Sequence, residues 1–208
     1  MNLLTYKLKT DTLLIFSTFL PYLYTRFCHD SRFLMNREEI KIRLQNDHRQ
    51  FTELILSLTD HDFLLSANDK WTAGQQLDHI YRSVAALTQA LILPKFVIKL
   101  ITGKTNRPSR DYGALVAKYQ SKLAAGGRAT GRFVPKVVLP DQKDKLKSKL
   151  LKSVGTLCKR VDRYNEKQLD YYILPHPLLG KLTLREMLFF TIYHVEHHRQ
   201  LTLKNLGQ

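Results

Sequence analysis

Cysteine is scarce in this chain of 208 residues, which contains only Cys28 and Cys158. The two are far apart and form no C-x-x-C pair, and a small domain built on disulfides would need more cysteines in a shorter sequence. This scarcity argues against a secreted, disulfide-stabilised protein. We therefore expect a cytoplasmic location.

Long apolar runs are also missing. The clearest apolar segment, residues 13–24, has 12 residues and is interrupted by Pro21, whereas a membrane-spanning helix needs about 20. We therefore expect no stable membrane insertion. Lys7 and Lys9 precede this segment as they would in a signal peptide, but no small-x-small cleavage site follows it. A membrane-directing segment is kept as the alternative.

Residues 1–34 differ in pattern from the remainder of the chain. Met35 opens the stretch MNREEI, which is typical of the beginning of a helical domain. Our interpretation is that translation begins at Met35 and that residues 1–34 are a gene-start artefact or a poorly ordered extension. Residues 35–208 then form one domain, which is long enough to bury a good-sized hydrophobic core.

Acidic residues are few in one long stretch. Residues 95–160 contain 17 lysines and arginines but only three acidic residues, so this stretch holds most of the formal net charge of +15. Such a basic field can attract nucleic acid or small anions. However, it has few aromatic residues for base stacking and no recognition motif. We expect no nucleic-acid partner, and we interpret Lys143 and the lysines up to Lys152 as a solvated helix face.

Four segments between residue 35 and the C-terminus carry apolar residues at helical spacing. Each begins at a capping signal: Asn36 with Glu39, Thr72 with Gln75, Asp141 with Asp144 after Pro140, and Thr183 with Glu186. The second helix is expected to end near Pro94, and the third to carry Tyr164 and end before Tyr171. Each apolar stripe must be buried against the others, so the sequence predicts an all-α four-helix bundle.

Residues 95–140, between the second and third helices, are too many for a tight turn. Their glycines and prolines predict a long crossover, with a short helix over residues 112–123. A crossover of this length can carry the chain from one end of the bundle to the other. The second and third helices can therefore run parallel.

Three histidines have the spacing of a metal site. His194 and His198 are four residues apart, so on a helix they point two imidazoles at one place. His79, from another helix, would complete a set of three nitrogen ligands with open coordination positions. An i, i+4 histidine pair alone more often reflects ordinary packing. The third histidine, in the sequence context described next, favours the metal site.

Two stretches around these histidines resemble motifs of the DinB-like metal-binding superfamily. Residues 71–79 (WTAGQQLDH) are similar to the start of that family's second helix, which leads to the first histidine ligand. Residues 190–201 (FTIYHVEHHRQL) are similar to its last helix, which carries the other two ligands as H-x-x-x-H. The resemblance covers about residue 35 to the C-terminus. It implies an up-down-down-up bundle with His79, His194 and His198 as metal ligands.

The remaining histidines lack this spacing. His197 is turned about 100° around the helix from His198, and we interpret it as lying on the surface or just behind the ligands. Glu196 falls on the far side of the helix and is expected to be an exposed charge. No role is assigned to the others, which are His29, His48, His61 and His176.

The function implied by the resemblance is that of a divalent-metal-binding protein, with zinc or nickel as the expected ion. Members of the family include thiol-dependent S-transferases and a thiol-dependent isomerase. We therefore expect either a transferase whose substrates are a low-molecular-weight thiol and a small electrophile, or a metal-dependent hydrolase. A homodimer is a further hypothesis. No catalytic residue is identified. The alternative is a non-catalytic helical module whose basic face binds a polyanion or a partner protein.

Overall fold

The computed structural model describes residues 35–66 and 70–207. The expectations about residues 1–34 lie outside these described residues. The described elements, in chain order, are α1 Arg37–Ser57, α2 Asp60–Leu64, α3 Ala73–Ala90, α4 Lys95–Thr102, α5 Tyr112–Ala124, α6 Lys143–Val161, α7 Glu166–Tyr171, β1 Ile173–His176, β2 Gly180–Thr183 and α8 Leu184–Asn205. The all-α prediction is confirmed, with one small antiparallel hairpin added to it.

Capping boxes begin three of the four long helices where the sequence predicts them. In each, the cap side chain accepts from the third backbone N–H of the helix, and the third side chain accepts from the backbone N–H of the cap. The three pairs are Asn36 with Glu39 for α1, Thr72 with Gln75 for α3, and Thr183 with Glu186 for α8. The fourth helix, α6, follows a short 3-10 turn at Pro140–Gln142 and has Asp144 in its first turn.

The long helices form a bundle in which α1, α6, α3 and α8 follow one another around a ring. Contacts between helix ends give their directions. Lys143, at the start of α6, donates to the carbonyl of Leu58 just after α1, so these two helices are antiparallel. Arg160, near the end of α6, donates to the carbonyl of Thr88 near the end of α3. Therefore α3 and α6 are parallel.

The last helix completes the pattern. Arg185, in the first turn of α8, donates to the carbonyl of Met35 just before α1, so α1 and α8 are parallel. Asn205, at the end of α8, donates to the carbonyl of Trp71 just before α3, so α3 and α8 are antiparallel. The order is up, down, down, up, as the family resemblance implied.

The crossover contains the predicted short helix as α5, but it also contains α4, which the sequence analysis did not predict. Its middle is tied to the start of α8 by Glu186, which is fully buried. Arg107 donates to both carboxylate oxygens of Glu186 at 2.7 and 2.8 Å, and Arg110 donates to one of them through its backbone and its side chain. This cluster fixes the path of the crossover against α8.

Two local predictions were wrong, and one element, the β1–β2 hairpin after Tyr171, was not predicted. Tyr164 lies beyond α6, which ends at Val161, because a turn and the separate helix α7 follow. The stretch after Tyr171 forms the β1–β2 hairpin, with Ile173 opposite Thr183. Lys143 is buried and not part of a solvated face, because its ammonium lies 4.7 Å from the centre of the Phe63 ring and donates to a backbone carbonyl.

Among the described helices, none alone has the length and apolar character to cross a membrane; only α3 and α4 together do, as a pair bent by 105°. The apolar residues of the four long helices form the core, with Leu44 of α1, Leu77 of α3, Leu150 of α6 and Leu188 of α8 fully buried.

Candidate metal centre

His79 is held by the second long helix and by the crossover. It lies in the second turn of α3 and is 5% exposed. Its Nδ1 is 2.6 Å from the backbone carbonyl oxygen of Phe133, in the crossover. A carbonyl can only accept, so Nδ1 carries the proton, and Nε2 is left with a free lone pair.

His194 and His198 lie one turn apart on the buried face of α8. His198 Nδ1 bonds the side-chain oxygen of Gln76, which is on α3 one turn before His79. The amide nitrogen of Gln76 donates to the carbonyl of Trp71, and this contact keeps the amide oxygen facing His198. Nδ1 of His198 is therefore the donor, and its Nε2 also carries a free lone pair.

The three imidazoles converge. His194 Nε2 is 3.1 Å from His79 Nε2 and 3.1 Å from His198 Nε2, and one ligand atom from each residue lies within 4.8 Å of the others. Nitrogens bound to one ion at about 2.1 Å are roughly 3–4 Å apart. Because the lone pairs of His79 and His198 both face His194, which has at most one proton to donate there, the arrangement suits a cation between them. Three imidazoles so arranged could hold a divalent metal.

Burial keeps these imidazoles in the form that binds metal. Burial lowers the pKa of His79, and it lowers the pKa of His194 and His198 well below the usual value, with the neighbouring imidazoles adding to the effect. All three are therefore neutral at physiological pH, as coordination requires. The structure brings the three predicted residues together, and their binding of an ion stays a prediction.

His197 and Glu196 lie outside the converging group. The ring of His197 is half-buried and packs against Tyr119, with centroids 5.8 Å apart, and against His198, at 5.1 Å. Glu196 is half-buried and pairs with Arg199 and Gln200 on its own helix. Neither residue contributes a ligand atom to the three-histidine group.

Sequence reasoning missed the groups that orient the imidazoles. Gln76 precedes His79 by three residues, and this helical spacing was the available signal for it. No sequence signal pointed to the carbonyl of Phe133, because it is a backbone group of a distant segment. Trp71 was noted only as part of a motif, yet its ring centroid lies 4.9 Å from that of His79 and 6.1 Å from that of His198.

A cavity of about 380 Å³ adjoins the three-histidine group, with His79 and His194 in its wall. Most of the wall is apolar, including side chains from α3, α5, α8 and β1. His48 and His176, to which the sequence analysis gave no role, also line it. A small molecule in this cavity would lie beside the imidazole rings of His79 and His194.

The fold and the site together define a helical bundle with three converging imidazoles beside an apolar cavity. A match to the DinB superfamily covers residues 43–201, which is most of the chain. The chain therefore belongs to the DinB superfamily. No curated protein and no solved structure matches it.

Proposed function

We propose that this protein is a divalent-metal-dependent enzyme that transfers a low-molecular-weight thiol to a small electrophile. The observation that carries the proposal is the convergence of His79, His194 and His198 beside an apolar cavity. Three protein nitrogens leave at least one coordination position open, as in catalytic sites, whereas structural zinc sites use four protein ligands. Zinc and nickel both suit a set of imidazole donors.

His79, His194 and His198 would hold the ion, and a bound ion would lower the pKa of a thiol or water beside it, which would supply a nucleophile near neutral pH. The apolar cavity holds the electrophile and keeps water from competing. In the transfer, a bond forms between the thiolate sulfur and an electrophilic carbon, the leaving group departs with its electron pair, and the thiol proton goes to solvent.

Two arguments favour a thiol over water as the nucleophile in this proposal. No aspartate or glutamate is among the described residues that line the cavity, so a carboxylate general base for water is missing there. A free thiol has a pKa of about 8.5, whereas the pKa of bulk water is far higher, so water needs far more activation. A metal-dependent hydrolase is therefore the second reaction that we consider for the same site.

A cytoplasmic location, which we also propose, would suit this chemistry. Cys158, the cysteine in the described part of the chain, is free and buried, and a reducing cytoplasm maintains both free cysteines and low-molecular-weight thiols. We therefore keep the proposal of a cytoplasmic enzyme.

A different candidate function rests on the basic surface. Lys145, Lys149, Lys152 and Lys159 are exposed along α6, and such a row attracts polyanions through a field that salt screens. A non-catalytic module would bind heparin in a salt-sensitive way whether or not the histidines are intact. Salt-sensitive heparin binding by the wild type and by His79→Ala alike, in a wild-type protein that takes up no metal, would favour this candidate over the enzyme.

Enzyme activity gives the direct test of the proposal. Zinc- or nickel-loaded protein should accelerate the reaction of a low-molecular-weight thiol such as glutathione or cysteine with the fluorogenic electrophile monobromobimane. His79→Ala should lower this rate by about 100-fold or more, because a ligand to the ion is lost. The matched control is His61→Ala, since His61 is exposed and its ring bonds the neighbouring Asp62. No acceleration with any thiol in the panel, or equal rates for the two variants, would reject the proposal.

A further inference from the structure

His48 interrupts the apolar stripe of α1. Leu44 and Phe51, one turn before and after it, belong to the fully buried core, and His48 is itself 0% exposed. An apolar residue would pack there without needing a partner. His48 instead forms part of the wall of the cavity that adjoins the three-histidine group.

The hydrogen bonds of His48 leave one of its nitrogens unused. Its Nδ1 lies 2.7 Å from the carbonyl oxygen of Leu44, so Nδ1 carries the proton and donates. The lone pair on Nε2 has no partner among the described residues. Burial lowers the pKa of His48 to about 4, so Nε2 remains an unprotonated acceptor at neutral pH. Buried polar groups are rarely left unpaired, and each exception calls for an explanation.

His176, another imidazole in the cavity wall, has partners for its acceptor nitrogen. Its Nδ1 accepts the backbone N–H groups of Leu178 and Leu179, each at 3.1 Å, and so holds the turn of the β1–β2 hairpin. The nitrogens of His79 and His194 face one another in the candidate metal centre. Among these imidazoles of the described wall, His48 is therefore the one with an acceptor nitrogen that has no structural task.

We propose that the cavity binds a small, mainly apolar molecule bearing a hydroxyl or N–H group, and that His48 Nε2 accepts a hydrogen bond from this group. The ligand is larger than benzene, because a cavity of about 150 Å³ already accommodates benzene and this one has about 380 Å³. His48 is then a residue that selects and orients the substrate. The role of His48 in selecting a substrate rests on the proposed function. Binding of the small molecule in the cavity requires no ion.

The test compares benzyl alcohol with anisole, which are isomers of one formula. Benzyl alcohol has a hydroxyl donor and anisole has none. Isothermal titration calorimetry gives Kd for each compound with the wild type, His48→Leu and His48→Gln. In His48→Leu, the Kd of benzyl alcohol should rise by about fivefold or more relative to the Kd of anisole, because the hydroxyl loses its acceptor. His48→Gln should retain most of the preference, since its amide oxygen can accept.

A spectroscopic measurement needs no variant. The nitrogen-15 resonance of His48 Nε2 should move when benzyl alcohol is added to the wild type and stay in place with anisole. Ala86→Phe, which fills the cavity from α3, should abolish binding of both isomers. An unchanged Kd ratio in His48→Leu, an unmoved nitrogen resonance, or full binding to Ala86→Phe would overturn the inference.

The role of the ion is separated by repeating the titrations after chelation. A preference for benzyl alcohol that persists without metal and depends on His48 supports the inference, even in a protein that proves to bind no ion. A preference for benzyl alcohol that vanishes on chelation and is unchanged in His48→Leu would show that the hydroxyl binds the ion. This result would overturn the assignment to His48.

Discussion

A chelator added to the metal-loaded wild type near neutral pH should lower its melting temperature by roughly 5–10 °C. An ion at about a hundred times its Kd adds about 2.7 kcal/mol to the free energy of unfolding, and removing it takes this contribution away. Differential scanning fluorimetry measures the change. Because the three imidazoles are contributed by two helices, α3 and α8, only the folded chain would bring them to one ion, as this estimate requires.

The variants decide where that ion binds. His194→Ala and His198→Ala should lose most of the response to the chelator, because each removes one of the converging nitrogens. His197→Ala should keep the response, although its ring is next to that of His198. The same response in all three variants would place any bound metal elsewhere in the protein.

The pH dependence follows from the direction of the pKa shifts. Burial lowers the pKa of all three histidines in the folded protein, so protons compete with the ion only below the usual histidine pKa of about 6.5. The unfolded chain, by contrast, takes up these protons at about 6.5. Metal-dependent stability should therefore persist through that pH and disappear as the pH falls through the lowered pKa values.

Glu186→Ala should lower the free energy of unfolding by about 2–3 kcal/mol, because it removes a buried carboxylate that accepts from Arg107 and Arg110, whose side chains are about a third exposed. Burial alone would raise the pKa of Glu186, but hydrogen bonds from the Arg107 side chain and from the backbone of Arg110 and Thr183 hold it below its usual value. The carboxylate is therefore charged at neutral pH. Urea unfolding near neutral pH measures the loss.

Glu186→Gln is the matched control, since its side-chain oxygen can still accept from the backbone of Thr183 as Glu186 does. It should be less destabilising than Glu186→Ala, because it keeps the cap of α8 and loses mainly the charge. A cost below about 1 kcal/mol for Glu186→Ala, as for an exposed pair, would contradict this account of the crossover.

The main helices were predictable because local signals define them. The capping boxes at Asn36, Thr72 and Thr183 depend on residues three positions apart, and the apolar stripes depend on the helical period. The hairpin was not predictable in the same way. Its strands have four residues each, and they are held by pairing with each other and by packing against α4 and α8. The stretch that follows Tyr171 carries no such local signal.

The three histidines were predictable for a related reason. His194 and His198 share a helix, so their spacing alone places them on one face. The third position, His79, needed the motif that begins at Trp71. The cavity was not predictable, because His48 and His176 come from segments far apart in the chain. Only packing of the bundle brings them to the same wall.

Elemental analysis of protein purified without a histidine tag tests the central claim most directly. The wild type should contain about one divalent ion per chain, and His79→Ala should contain little or none, because two imidazoles hold an ion much less firmly than three. His61→Ala should match the wild type. Wild-type protein without metal after incubation with zinc and nickel, or full metal content in His79→Ala, would contradict the three-histidine site.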